Sequence, residues 1–191
     1  MGKSDMTFQY DFDEQLKKSK EYEGCMDGIY KKYFNNVSSI KTISRVDEMN
    51  RQRAGVDTII TLNSNEYVVV QEKRRYRKFE GDFLIEYCSV WQDEESKALG
   101  WIYTIDADYI FTVYEKSSMV KVYPVVQLKL AWFSNSHKWT NPHLYKNGRT
   151  ETRQRGGCRG YETLWCAVPC EELEREILKT MRFDFQQTFD V

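Results

Sequence analysis

The chain has no apolar run long enough to cross a membrane and no apolar leader at its start. A membrane-spanning protein is thereby excluded, and a cytoplasmic location is expected. Met1-Gly2 is followed by Met6 where a myristoylation signal needs Ser or Thr, so no lipid anchor is expected either. Charge of one sign is also missing. The formal net charge is −1, so any contact with nucleic acid must use local basic patches rather than the field of the whole molecule. No repeat, low-complexity segment or Gly-rich phosphate loop is present. The absence of a Gly-x-Ser-x-Gly elbow argues against an α/β-hydrolase. The five cysteines are an odd number and include no Cys-x-x-Cys pair, which fits a reducing compartment. Cys158, Cys166 and Cys170 lie near His137 and His143 in sequence, but their spacing fits no standard zinc pattern. Separate thiols are the expected reading.

What is present suits one soluble domain over residues 1–191, with a basic loop or hairpin inserted around 134–160. Apolar residues make up 41% and charged ones 30%, a balance ordinary for a globular chain of this length. Thirteen tyrosines and five tryptophans supply core and strand surface without requiring a special role.

The most informative stretch runs from Gly55 to Lys78. Thr58 to Leu62 and Tyr67 to Val70 are β-branched or apolar, and Asn63 to Asn65 between them tolerate left-handed turn geometry. This pattern predicts a hairpin, which brings Asp57 beside Gln71, Glu72 and Lys73. Strand alternation puts Gln71 and Lys73 on one face and Glu72 on the other. For an arbitrary acid and lysine, an edge salt bridge would suffice. Here Lys73 also opens the basic run Arg74-Arg75-Tyr76-Arg77-Lys78. An acid, a lysine and a basic run make chemical sense together if the ligand is a polyphosphate backbone.

This arrangement resembles the PD-(D/E)XK nuclease superfamily, whose signature is an Asp at the start of one strand and (Asp/Glu)-x-Lys at the end of the next. The resemblance covers roughly residues 47 to 114. Asp57 matches the first acid and Lys73 the lysine; Gln71 stands where the second acid is usual, and a neutral amide is a weaker ligand for a hard cation. The resemblance implies a restriction-endonuclease-like core and a DNA phosphodiester hydrolase, with endonuclease favoured over exonuclease. It further implies Mg²⁺ or Mn²⁺ held by Asp57, Gln71 and, where its strand points that way, Glu86. Asp57, Gln71 and Lys73 would then be the catalytic set, and Arg74, Arg75 and Arg77 would grip the DNA backbone. The rival is an inactive DNA-binding or assembly protein on the same fold.

The rest of the chain supports a layered α/β domain, with a single mixed sheet flanked by helices. Residues 11–34 have helical spacing, and 37–43 read as extended. Asp47 and Glu48 are positioned to cap a helix, face solvent or add to a metal site. Glu86 interrupts the apolar strand from Phe83 to Val90; it either faces solvent or enters the site. Residues 92–97 read as a loop or a short helix start, and 109–114 and 120–126 as strands. Residues 127–133 read as a helix and 161–168 as a strand, with a helix over 171–181. Between 137 and 160, Lys146, Arg149, Arg153, Arg155 and Arg159 lie among glycines, a composition that suits phosphate contact. The tail with Phe183, Phe185 and Phe189 packs on the domain or pairs with another chain, so a homodimer is among the expected assemblies.

Overall fold

The computed structural model describes residues 25–43, 55–75, 81–92, 95–115, 117–141, 150–154 and 161–181. Residues 25–33 form a helix, α1, followed by β1 (Val37–Thr42), β2 (Thr58–Leu62) and β3 (Tyr67–Arg75). Next come β4 (Asp82–Gln92), β5 (Glu95–Leu99), the single-turn helix α2 (Trp101–Thr104), β6 (Tyr109–Tyr114) and β7 (Met119–Pro124). Helix α3 (Val125–Trp139), β8 (Thr150–Gln154), β9 (Tyr161–Pro169) and helix α4 (Cys170–Met181) complete the order. Among the described residues no helix is long and apolar enough to cross a membrane.

The strands form a mixed α/β architecture with two sheets, not one. The first has the order β1-β2-β3-β6-β7, and the second β5-β4-β9-β8. The expectation of a single mixed sheet is corrected here. β4 does not join β3; it pairs antiparallel with β9, from Asp82 opposite Pro169 onward. Parallel strands cannot be joined by a tight turn. The connection between β3 and its parallel neighbour β6 therefore leaves the first sheet, and it carries β4, β5 and α2 with it.

The β2–β3 hairpin forms as its composition demands. Thr58 lies opposite Val70 and Ile60 opposite Val68, and Asn65 takes the left-handed conformation at φ 65° in the turn. Two neighbouring segments differ from expectation. Residues 95–99 are a strand, not a loop or helix start, because they pair with the end of β4. Helix α3 also runs beyond the expected 127–133, reaching back to Val125 directly after Pro124, which fixes its entry. Residues 134–139, expected in a basic loop or hairpin, belong to this helix, and β8 pairs antiparallel with β9.

The core divides at the first sheet. On one face Met26 and Tyr30 of α1 pack with Ile60, Val70 and Phe111. Strand alternation turns Ile110 and Tyr114 to the other face, where they meet Phe83, Ile85, Trp132 and Leu173. Glu72 points toward α1, and its carboxylate accepts from Tyr30 (2.5 Å) and Thr58 Oγ1 (3.0 Å). Tyr30→Phe is therefore expected to cost about 1 kcal/mol of stability, since a half-buried carboxylate loses a donor; chemical denaturation would show this as a lower midpoint at unchanged slope. The buried cysteines behave as packing groups. Burial pushes the Cys166 thiol up to about 12, and Cys170 sits 3.0 Å from the Tyr114 hydroxyl. His143 and Cys158 lie outside the described residues.

Candidate active site

The start of β2 and the end of β3 meet as the hairpin requires, and backbone hydrogen bonds pin Asp57 there. Its N–H donates to the Val70 carbonyl (3.0 Å), and its carbonyl accepts from Ile43 N–H (2.8 Å). Its carboxylate Oδ2 accepts from the Glu72 N–H (2.7 Å). Asp57 is thus fixed by the strand that carries Lys73. Gly55, two residues earlier, has φ +72°, and a Cβ there would lie 2.7 Å from Gln71 Nε2. Only glycine combines that backbone with that approach, and the approach holds Gln71 against the loop.

Gln71 and Lys73 share one face of β3, as alternation requires. Gln71 is buried, packed beside Gly55 and Ile105. Lys73 lies next to Thr112 of β6, with its ammonium 5.1 Å from the centre of the Trp101 ring. Burial lowers the Lys73 pKa below the ordinary 10.5, while the nearby carboxylates of Asp57 and Glu86 oppose that shift. The lowering wins, so Lys73 gives up its proton more readily than an exposed lysine.

Glu86 enters the same site from the second sheet. It lines, with Lys73, Trp101, Thr112 and Trp165, a cavity of about 370 Å³. Its carboxylate accepts from the Ser89 hydroxyl at 2.5 Å. The β4–β9 register shifts between Glu86 and Cys88, a bulge. Such an extra residue changes the facing of the positions after it, which is how a strand re-aims a side chain. Gly100 allows α2 to close on this bulge, because a Cβ there would overlap the Glu86 carbonyl.

The oxygen donors of Asp57, Glu86 and Gln71 are of the hard type that Mg²⁺ takes. Gln71 Oε1 is buried without a hydrogen-bond partner, so it retains an acceptor that a cation can satisfy. Among the described residues no three His, Cys, Asp or Glu side chains gather as a metal-binding group. A cation here would therefore rely on the Gln71 amide oxygen as its third protein donor.

Arg74 and Arg75 line the same cavity as Lys73 and Glu86, and each also pairs with an acid. Arg75 is buried and ion-paired with Asp82, and Arg74 pairs with Glu115 at 2.6 Å. Both therefore brace the ends of β3, β4 and β6. Arg153 lies on β8 opposite Glu162. Arg77, Asp47, Glu48, Lys146, Arg149, Arg155 and Arg159 lie outside the described residues.

Five residues of the cavity were not assigned to the site from the sequence: Phe83, Leu84, Trp101, Thr112 and Trp165. Thr112 carried a usable signal, being a polar residue inside the apolar strand Tyr109–Tyr114. Trp101 and Trp165 carried none, since aromatics are common throughout the chain. Comparison with known proteins finds no family model, no curated protein and no solved structure that matches this chain.

Proposed function

We propose that this chain is a metal-dependent nuclease that hydrolyses DNA phosphodiester bonds, built on a restriction-endonuclease-like core of the PD-(D/E)XK type. The observation that carries the reading is the half-buried Lys73, on which the charges of Asp57 and Glu86 both act, lining one cavity with Glu86. The hairpin bearing Asp57 and Lys73, continued by the parallel strand β6, supports it.

In this reading Asp57, Gln71 and Glu86 hold Mg²⁺ or Mn²⁺. The bound cation would supply Lewis acidity toward the phosphate and a more acidic water. Lys73, in its neutral form, takes a proton from the attacking water, whose oxygen bonds to phosphorus as the bond to the leaving oxygen breaks; the leaving oxygen takes the bonding pair and gains a proton from solvent water. The Glu72 N–H keeps the Asp57 carboxylate in place, and Ser89 does so for Glu86. DNA is the proposed partner; a homodimer and a cytoplasmic location belong to the same proposal.

The test is calorimetric titration with Mg²⁺ and Mn²⁺, wild type against Asp57→Ala, with plasmid nicking on the same samples. Metal binding and metal-dependent nicking in the wild type alone support the reading. A wild type with neither would sink it.

The second reading, an inactive DNA-binding or assembly protein on this fold, is favoured by the neutral Gln71. Gln71→Glu separates the two. A buried carboxylate at this position should lower the metal-free melting temperature, because burying a charge is unfavourable. Mg²⁺ should restore that loss and tighten cation binding by about tenfold, on the scale of one added charged ligand. Nicking that appears only in Gln71→Glu would identify a decayed site.

A further inference from the structure

We propose that the cavity beside Lys73 is a nucleobase pocket, which takes one unstacked base while the adjoining phosphate lies toward Asp57 and Lys73. This rests on the nuclease reading and names its substrate: single-stranded DNA, or DNA distorted enough to release a base.

The cavity measures about 370 Å³, and Phe83, Trp101 and Trp165 give it aromatic walls. Its volume falls within the range of small-ligand sites but cannot admit a duplex. Arg74 and Arg75 also line it, and two neutral polar atoms at its lining, Thr112 Oγ1 and Trp165 Nε1, are buried without a hydrogen-bond partner. Thr112 is only 1% exposed, so bulk water does not satisfy it. An indole N–H can only donate, and a threonine hydroxyl can donate or accept. The occupant must therefore offer an acceptor to the indole and a flat apolar face to the walls. A phosphate alone leaves the aromatic surface unused, and an aliphatic ligand leaves both polar atoms unpaired. A nucleobase meets both demands, with ring nitrogens and carbonyl oxygens on its edge and a π-face for stacking.

The position of the pocket fits the same occupant. Lys73 and Glu86 belong both to the cavity lining and to the proposed hydrolytic site. A base held here places its own backbone beside the reacting groups. In duplex DNA the base must first leave the stack, at a cost that is smallest for mismatched, frayed or single-stranded positions.

The test follows tryptophan fluorescence in EDTA, which prevents cleavage. The probes are an eight-nucleotide thymidine oligomer, an abasic oligomer with the same number of phosphates, the matched duplex, and thymidine 5′-monophosphate. The thymidine oligomer should bind at least about tenfold more tightly than the abasic one, the scale of one stacked base. Thr112→Val, which removes one polar atom and keeps the shape, should shrink that ratio by about threefold or more while the melting temperature holds, and Trp165→Phe, which removes the N–H and part of the stacking surface, should shrink it at least as far. Binding of the monophosphate that matches the oligomer would assign the pocket to free nucleotides rather than to a strand, and would overturn the substrate proposed. Equal binding of thymidine and abasic oligomers, or ratios unchanged in both variants, would overturn the base pocket. Metal-dependent nicking abolished by Asp57→Ala in that same case would leave the nuclease reading standing. Absence of both nicking and oligomer binding would remove both.

Discussion

Lys73→Met is expected to reduce metal-dependent DNA cleavage by about a hundredfold or more, the scale on which a positioned general base contributes, without loss of the fold. The side chain lies against Trp101 and within the field of the Asp57 and Glu86 carboxylates, and burial shifts it toward its neutral form. Methionine keeps the length and the apolar contacts but cannot accept a proton. Single-turnover nicking and a thermal melt measure the two halves of the expectation, and a variant that cleaves at the wild-type rate would remove Lys73 from the mechanism. The melt carries a further sign. A lysine with a lowered folded-state pKa opposes folding when protonated. That penalty is full below the folded-state pKa and disappears as the pH rises to the unfolded value near 10.5. Below that folded-state pKa the metal-free variant should therefore melt no lower than the wild type. As the pH climbs through that window, the wild type should gain on it. Loss of activity without loss of stability is the signature of a group retained for chemistry.

Gly100→Ala should damage stability and activity together. The added methyl would overlap the carbonyl of Glu86 and crowd the carbonyl carbon of Tyr87, both backbone, so neither can rotate away. The hydrogen bond from Gly100 N–H to the Tyr87 carbonyl (3.2 Å) must lengthen as α2 lifts from β4. Overpacking of this kind costs about 3 kcal/mol. Because Trp101 comes directly after it, the shift also moves the ring that covers Lys73 and loosens Glu86. Cleavage is expected to fall by at least about tenfold, since misplacement by an ångström carries penalties of that order or larger. Urea denaturation and nicking would be read side by side. An alanine variant of wild-type stability would mean that α2 does not close on the bulge as described.

The sequence made the local half of the site readable and left the distant half open. The alternation of β2 and β3, with Asn63 to Asn65 between them, was sufficient to bring Asp57 to Gln71 and Lys73. Helices α3 and α4 and strands β6, β7 and β9 were also visible, because their apolar content and flanking turn residues agree. The second sheet was not. Nothing in the composition of β4 says that it pairs with β9 rather than β3, since apolar strands of similar length are interchangeable at that level. The facing of Glu86 was open for a related reason. Which face of β4 meets the hairpin is set by its pairing with β9, far along the chain, and not by its own alternation. The basic run held more than its composition showed. Arg74 and Arg75, read as phosphate contacts, also form ion pairs with Glu115 and Asp82 that tie strand ends together. A run of like charge in a sequence does not reveal which members will find acids across the fold.

The pairing of β4 with β9 also sets an order in time. The hairpin that carries Asp57 and Lys73 closes over a few residues, so it can form as soon as it leaves the ribosome. Glu86 lies opposite Trp165, far along the chain, and that contact must wait until β9 has been synthesised. A growing polypeptide would thus hold the lysine and one acid for many seconds without the strand that seats the other acid. An activity able to cut the cell's own nucleic acid would be switched on only by the late arrival of that last strand of the sheet.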